Sequence, residues 1–214
     1  MGLVRDLLDV LLPTPCAACG ELAGDGRLVR LCAACEALLP RQAWPLSSAI
    51  PGVASAWYLA PYQGMAGDLV RHGKYGLREE LLAELAGIAA RAALGRLPPA
   101  DAVVSVPSPL GRRVARGFSP PGLLADALSA ELEIPHLRAL ARRGGRRQVG
   151  LQDEERWRNV AGTVRLACEL PGEPRLLLVD DVVTTGATAA ACAEVLLVGG
   201  ARSVHLYAFA SALR

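Results

Sequence analysis

From residue 53 onward, short apolar runs alternate along the chain with longer segments of helical periodicity. Strand-like runs occur in VASAWYLAPY (53–62), DAVVSVP (101–107), PRLLLVDD (174–181) and SVHLYAFA (203–210). Apolar residues recur at helical spacing in LREELLAELAGIAARAAL (77–94), PPGLLADALSAELEI (120–134) and ATAAACAEVLLVGGA (187–201). Alternation of this kind is typical of parallel strands joined by helices. The pattern therefore predicts an α/β fold, in which helices cover both faces of a mostly parallel sheet.

The first third of the chain is organised around cysteines. Four of the six cysteines form two C-x-x-C pairs, Cys16 with Cys19 and Cys32 with Cys35, and twelve residues separate the pairs. This spacing is close to that of a closed four-thiolate zinc site, in which the metal is structural. Two disulfides or a redox pair remain the alternatives. Cys168 and Cys192 lie in apolar surroundings and are expected to be buried, inert thiols.

Composition and the positions of prolines divide the chain into three segments. We predict an N-terminal helix and zinc-binding module over residues 1–45, a proline-rich linker over 46–52 and the α/β domain over 53–214. Charged residues interrupt the apolar N-terminus, so no stretch is long enough to span a membrane, and a cytoplasmic protein is expected. With a net charge of +2 and 52% hydrophobic residues, the chain is an ordinary globular protein and not a polycation.

One strand end carries the chemistry of a ligand site. Asp180 and Asp181 follow an apolar run, and a Thr-Thr-Gly turn leads from them into the helix expected near Ala187. A helix N-terminus attracts anions, and Gly186 lets the backbone approach a phosphate closely. The two acids would repel that phosphate but suit the hydroxyl groups of an attached sugar, with a divalent cation nearby. The stretch therefore predicts a sugar-phosphate site.

The segment LLLVDDVVTTGAT resembles the phosphoribosyl pyrophosphate (PRPP) loop of type I phosphoribosyltransferases. The resemblance implies that the adjacent acids bind the ribose hydroxyls, that the following loop wraps the 5′-phosphate, and that Mg²⁺ accompanies PRPP. The PRPP-binding residues implied are Asp180, Asp181, Val183, Thr184, Thr185, Gly186, Ala187 and Thr188.

Nearly the whole chain resembles the ComF family of competence proteins and its gluconate-utilisation relatives. Beyond the cysteines and the PRPP loop, the matching stretches are RHGKYG (71–76), VPSPLGRRVARGFSPPGLLADAL (106–128) and RRQVGLQDEERWRNVAGTV (146–164). The resemblance implies a role in DNA uptake or processing during natural transformation, with single-stranded DNA and proteins of the competence machinery as partners. One departure is Ser119-Pro120-Pro121, where relatives usually have Asn-Gln, so a ligand contact at that turn is in doubt.

Basic residues supply two further candidate sites. Lys74 is the only lysine, which suggests a compact ammonium for pyrophosphate, although an ordinary surface lysine is an equal alternative. Pro107, Ser108 and Arg112 follow a core strand where the resemblance places a pyrophosphate loop. The candidate nucleic-acid contacts are Arg142, Arg143, Arg146 and Arg147, although these arginines could equally form a solvated surface.

Three functions remain open from the sequence. The first is a ComF-type phosphoribosyltransferase-like protein that binds PRPP and acts on incoming DNA. The second is a nucleotide-salvage phosphoribosyltransferase, and the third is a non-catalytic module that senses PRPP while it holds single-stranded DNA or a protein. No residue pattern identifies an acceptor, so whether the chain is an enzyme is open.

Overall fold

The computed structural model describes residues 15–21, 31–142 and 163–213. The helices are α1 (Ala33–Ala37), α2 (Met65–Tyr75), α3 (Glu79–Ala93), α4 (Leu110–Arg116), α5 (Pro120–Leu132) and α6 (Ala187–Val198). The strands are β1 (Trp44–Pro45), β2 (Ser55–Pro61), β3 (Ala102–Ser105), β4 (His136–Leu137), β5 (Leu140–Arg142), β6 (Val164–Leu166), β7 (Arg175–Val183) and β8 (Ser203–Ser211). The predicted N-terminal helix and Arg143, Arg146 and Arg147 lie outside the described residues.

Six of the strands form one sheet in the order β1-β2-β8-β7-β3-β4. Every neighbouring pair in it is parallel except β1 with β2, which is antiparallel. Strands β5 and β6 form a separate antiparallel pair. The predicted mostly parallel sheet is confirmed, and its central strands β7 and β8 are buried on both faces, as their continuous apolar runs require.

Helices cover both faces of this sheet, which is also as predicted. On one face, residues of α2, α3 and α5 pack with Leu177, Val179 and Tyr207. On the other face, α6 packs with Leu176, Leu178 and Leu206. Because parallel strands carry their connections over the faces, the carboxyl ends of β3, β7 and β8 meet at one edge, which we call the carboxyl edge.

The cysteine module packs against the same core as the main sheet. Cys16, Cys35 and Leu39 are buried in the cluster that contains α3. The backbone N–H of Ala43 donates to the carbonyl of Ala92 at 2.8 Å. Strand β1, at the end of the predicted module, pairs with β2, so the module continues into the sheet without a break in packing. The proposed division into module, linker and domain stays a prediction.

Two helices differ from the sequence pattern. Helix α3 begins at Glu79, whereas the pattern placed Leu77 inside it; Leu77 instead has a left-handed φ of 53° and is exposed. Helix α2 was not predicted, because glycines interrupt its apolar spacing. A Cβ on Gly67 would overlap the carbonyl oxygen of Tyr62, and one on Gly73 would lie 2.5 Å from Leu82 Cγ. These glycines let α2 pack close to its neighbours.

One more local expectation was wrong, and one candidate site residue lies in a helix. Cys192 is buried as expected, but Cys168 is exposed. Residues 110–116 form helix α4, so Arg112 lies in a helix while Pro107 and Ser108 belong to the loop after β3, and the pyrophosphate role of Arg112 stays a prediction. Within the described residues, no helix combines the length and the apolar character needed to cross a membrane.

Candidate functional site

The two acids of the predicted sugar site lie inside β7 and not beyond its end. The strand continues to Val183, and Asp180 and Val183 pair with residues of β8. The backbone N–H of Asp181 donates to the Asp180 carboxylate at 2.8 Å. Because strand pairing holds this backbone, both acids are fixed by the sheet, and only residues 184–186 remain as a connection to α6.

Lys74 meets these acids, although 107 positions separate it from Asp181 in the sequence. Its Nζ lies 2.8 Å from Asp181 Oδ2, and the two side chains are 17% and 16% exposed. The sequence placed Lys74 among candidate pyrophosphate ligands. The structure places it in an ion pair beside the predicted ribose site, so it is not a solvated surface lysine.

Asp180 is electrostatically unfavourable in its ionised form. Burial raises its pKa well above the ordinary value of a carboxyl, and the neighbouring charge of Asp181 raises it further, while the charge of Lys74 opposes both. Two acids brought together in a partly buried position favour a shared proton. Perturbed carboxyls of this kind cluster at functional sites, so the electrostatics support a ligand site here.

The connection from β7 to α6 has features that are typical of an anion-binding site. Gly186 is the N-cap of α6, has a left-handed φ of 77° and offers no side chain to cap the helix. Its position is tight as well, since an added Cβ would lie 3.1 Å from Ile50 in the predicted linker. Thr184 is exposed, and the Thr185 hydroxyl lies 3.4 Å from the backbone nitrogen of Ala187. The Thr185 hydroxyl thus accepts one of the free N–H groups at the start of α6, and the glycine N-cap adds no side chain of its own. A helix N-terminus of this kind favours a bound anion.

In the loop after β3, the serine of the predicted pyrophosphate site contacts the start of a helix and not the acid pair. Ser108 Oγ lies 3.1 Å from Ser119 Oγ, and Ser119 in turn is the N-cap of α5, accepting the backbone N–H of Gly122 at 3.4 Å. Pro120 and Pro121 occupy the first turn of α5, where a missing N–H removes no helical hydrogen bond. Ser119, Pro120 and Pro121, where the sequence departs from its relatives, therefore form the start of α5. The role of Pro107 and Ser108 toward pyrophosphate stays a prediction.

Of the four candidate nucleic-acid arginines, Arg142 is the one that the structure describes, at the end of β5. It is partly buried, and its charge acts on the thiol of Cys192. Burial, followed by the charge of Asp180, raises the pKa of Cys192 to about 12, and Arg142 partly opposes this. Arg142 therefore lies on the side of the sheet that α6 covers, close enough to Cys192 for its charge to act on that thiol.

The four cysteines of the N-terminal module come together as predicted. All are free thiols, and their four Sγ atoms lie within 4.8 Å of one another. The Sγ atoms of Cys19 and Cys32 are 3.8 Å apart, and the Cys32 backbone N–H donates to Cys16 Sγ at 3.3 Å. Burial raises the pKa of Cys16, but backbone N–H groups of Cys19, Cys32 and Ala18 outweigh burial and lower it to about 6. The cluster could hold a metal ion.

Comparisons with known proteins give relatives among bacterial DNA-handling proteins. The chain is 35% identical over 158 residues to the DNA utilization protein YhgH of Escherichia coli K12, which covers 70% of this chain and 68% of that protein. It is 36% identical over 152 residues to YhgH of Salmonella typhi, of which it covers 64%, less than two thirds. Competence protein F of Haemophilus influenzae is 32% identical over 116 residues, covering 52% of this chain and 51% of that protein. No family model matches the chain.

Solved structures similar to the chain include phosphoribosyltransferases. An orotate phosphoribosyltransferase from Aeropyrum pernix is 20% identical with a TM-score of 0.37, covering 82% of this chain and 77% of its own. An adenine phosphoribosyltransferase from Trypanosoma brucei, solved with AMP, pyrophosphate and ribose-5-phosphate, is 14% identical with a TM-score of 0.43, covering 78% and 74%.

Proposed function

Because the chain belongs to the ComF family of DNA utilization and competence proteins, we propose that it binds PRPP and acts in the cytoplasm on incoming DNA. One observation carries the ligand assignment. The acid pair Asp180–Asp181 lies one short turn from the N-terminus of α6, whose N-cap is a glycine, at the carboxyl edge of a parallel sheet. Ligands of parallel α/β folds bind at that edge.

The two halves of this site suit the two halves of a ribose 5-phosphate. The N-terminus of α6 and the hydroxyls of Thr184, Thr185 and Thr188 would hold the phosphate, while the carboxylates of Asp180 and Asp181 would accept hydrogen bonds from the ribose hydroxyls. When bound with PRPP, Mg²⁺ would neutralise the pyrophosphate charge. Nothing in the arrangement identifies an acceptor for the ribose.

Calorimetric titration with PRPP and Mg²⁺ tests the ligand. We expect the wild-type protein to bind and the double variant Asp180→Asn with Asp181→Asn to show no binding while its circular dichroism is unchanged. The matched control neutralises two acids at the opposite edge, Asp101→Asn with Glu173→Gln, and should retain binding. Binding by the Asp180 and Asp181 double variant would show that the pocket lies elsewhere.

The same preparation separates the three functions. Pyrophosphate release after addition of a nucleobase would identify a salvage transferase. PRPP binding without turnover in a screen of bases and amines would identify a sensing module. We expect single-stranded DNA to change the PRPP affinity, since a protein of this family that handles DNA should couple the two ligands. Equal PRPP affinity with and without DNA would contradict the coupling.

We propose that the four-cysteine cluster holds a structural zinc ion. A tetrahedral site with Zn–S bonds of about 2.3 Å has sulfur atoms about 3.8 Å apart. The Cys19–Cys32 separation of 3.8 Å fits that edge, and the backbone N–H on Cys16 suits a thiolate. Elemental analysis should find one zinc per chain, lost with Cys19→Ser and retained with Cys168→Ser, an exposed cysteine outside the cluster. Two disulfides in non-reducing mass spectrometry would overturn this assignment.

A further inference from the structure

We propose that the Lys74 ammonium is a built-in counter-cation for the acid pair, so that Asp180 and Asp181 bind the vicinal hydroxyls of a ribose phosphate without a divalent cation. The proposal rests on the proposed function, because it concerns the same site. It goes beyond that function by assigning the cation at the acids to the chain itself. Any Mg²⁺ would then accompany only the pyrophosphate of PRPP.

The ion pair has the geometry of a site and not of a surface contact. Nζ of Lys74 and Oδ2 of Asp181 are 2.8 Å apart, and about five sixths of each side chain is buried. Partial burial weakens screening by water, so the ammonium neutralises the acids more effectively than an exposed lysine would. In the part of the chain that the structure describes, no other salt bridge involves either acid.

The position of Lys74 is set by how closely α2 packs. The carbonyl oxygen of Tyr62 occupies the place of a Cβ on Gly67, and the side chain of Leu82 occupies the place of one on Gly73. Lys74 follows Gly73 directly, in the last turn of α2. Because α2 is held against both neighbours, its last turn cannot retreat from β7 without losing this packing. The packing of α2 therefore holds the Lys74 ammonium beside Asp181.

The acids keep capacity for a sugar while they are paired. Two carboxyl groups that share a proton still offer several lone-pair sites, of which the ammonium uses one on Asp181 and the backbone N–H of Asp181 uses one on Asp180. A divalent cation at the same oxygens would have to lie beside the ammonium or displace it, and like charges repel. The arrangement therefore favours hydroxyl groups, which are neutral donors, over a metal ion at these oxygens.

Calorimetry with ribose 5-phosphate, which lacks pyrophosphate, tests this assignment. We expect the wild-type protein to bind it with the same affinity in EDTA and in Mg²⁺, within about twofold. Lys74→Met should weaken binding in EDTA by about tenfold, because the acids without their counter-cation repel the phosphate of the ligand. Lys74→Arg keeps the charge and should recover part of the loss. Arg202→Met removes a cation at the opposite edge and is the matched control, with no expected change.

Titration with Mn²⁺ alone gives a second readout. Lys74→Met should bind Mn²⁺ about tenfold more tightly than the wild type, because the competing charge is gone. Wild-type binding of ribose 5-phosphate that requires Mg²⁺, or equal Mn²⁺ affinity in both proteins, would overturn the counter-cation. PRPP with Mg²⁺ distinguishes the two failures: if PRPP binds, only this proposal is lost, and if neither ligand binds, the proposed function is lost as well.

Discussion

Asp101 lies at the amino edge of the central sheet, where the strands begin, and Asp180 lies at its carboxyl edge. The pKa values of these two acids are shifted in opposite directions. At the amino edge, Arg175 donates to Asp101 from its side chain at 2.7 and 3.1 Å and from its backbone at 2.7 Å, and these hydrogen bonds lower the pKa of Asp101 to about 2. At the carboxyl edge, burial and a second acid raise the pKa of Asp180. The amino edge gains stability from its charges, whereas the carboxyl edge gives up stability at the acid pair, where we propose that ligand binds.

The largest effect is expected when Asp180→Asn removes the unfavourable acid. PRPP affinity should fall by about thirtyfold, or about 2 kcal/mol, for a lost hydrogen bond to a charged group. Stability at pH 7.5 should rise by about 1 kcal/mol, a typical gain when functional strain is relieved. Titration calorimetry and urea unfolding measure the two effects.

The stability gain should depend on pH in a defined direction. A raised folded-state pKa means that Asp180 contributes its stability below the ordinary carboxyl pKa of about 4 and loses it as pH rises through the raised pKa. Wild type and Asp180→Asn should therefore be equally stable near pH 4 and diverge above it. A variant that is less stable than wild type at pH 7.5 would contradict the comparison.

Asp101→Asn should have a smaller effect of opposite sign. Because Arg175 lowers the pKa of Asp101 to about 2, its contribution is complete at neutral pH and is lost as pH falls from about 4 to about 2. The melting temperature of the variant should be lower than that of wild type at pH 7 and equal to it below pH 2, with unchanged PRPP affinity. Weakened PRPP binding would show that the two edges are coupled.

The smallest effect is expected at the second ion pair of the amino edge. Glu173 and Arg202 are 3.6 Å apart, and their side chains are 72% and 67% exposed. Solvent screens such a pair, so Glu173→Gln should change the free energy of unfolding by less than about 0.5 kcal/mol. A larger loss would mean that the amino edge relies on charge beyond the Asp101–Arg175 pair.

Features formed by neighbouring residues were predictable, and features formed by distant ones were not. The acids, the Thr-Thr-Gly turn and the start of α6 are contiguous, so their order alone indicated a sugar-phosphate site. The cysteine cluster was likewise predictable from two pairs at metal-ligand spacing. Helix α2 was missed because glycines at its packing contacts resemble loop residues in a sequence. The position of β7 was correct but its end was not, because pairing with β8 carries the strand through both acids.

Alone, the amino-acid sequence determined the alternation of strands and helices, the acid–threonine–glycine turn and the four thiols, because each depends on local spacing and residue chemistry. The tertiary structure decided which charges meet. Lys74 reaches Asp181 through the close packing of α2, Ser108 meets Ser119 at the start of α5, and Ile50 lies against Gly186. Electrostatic energy depends on distance and burial, and packing in three dimensions sets both.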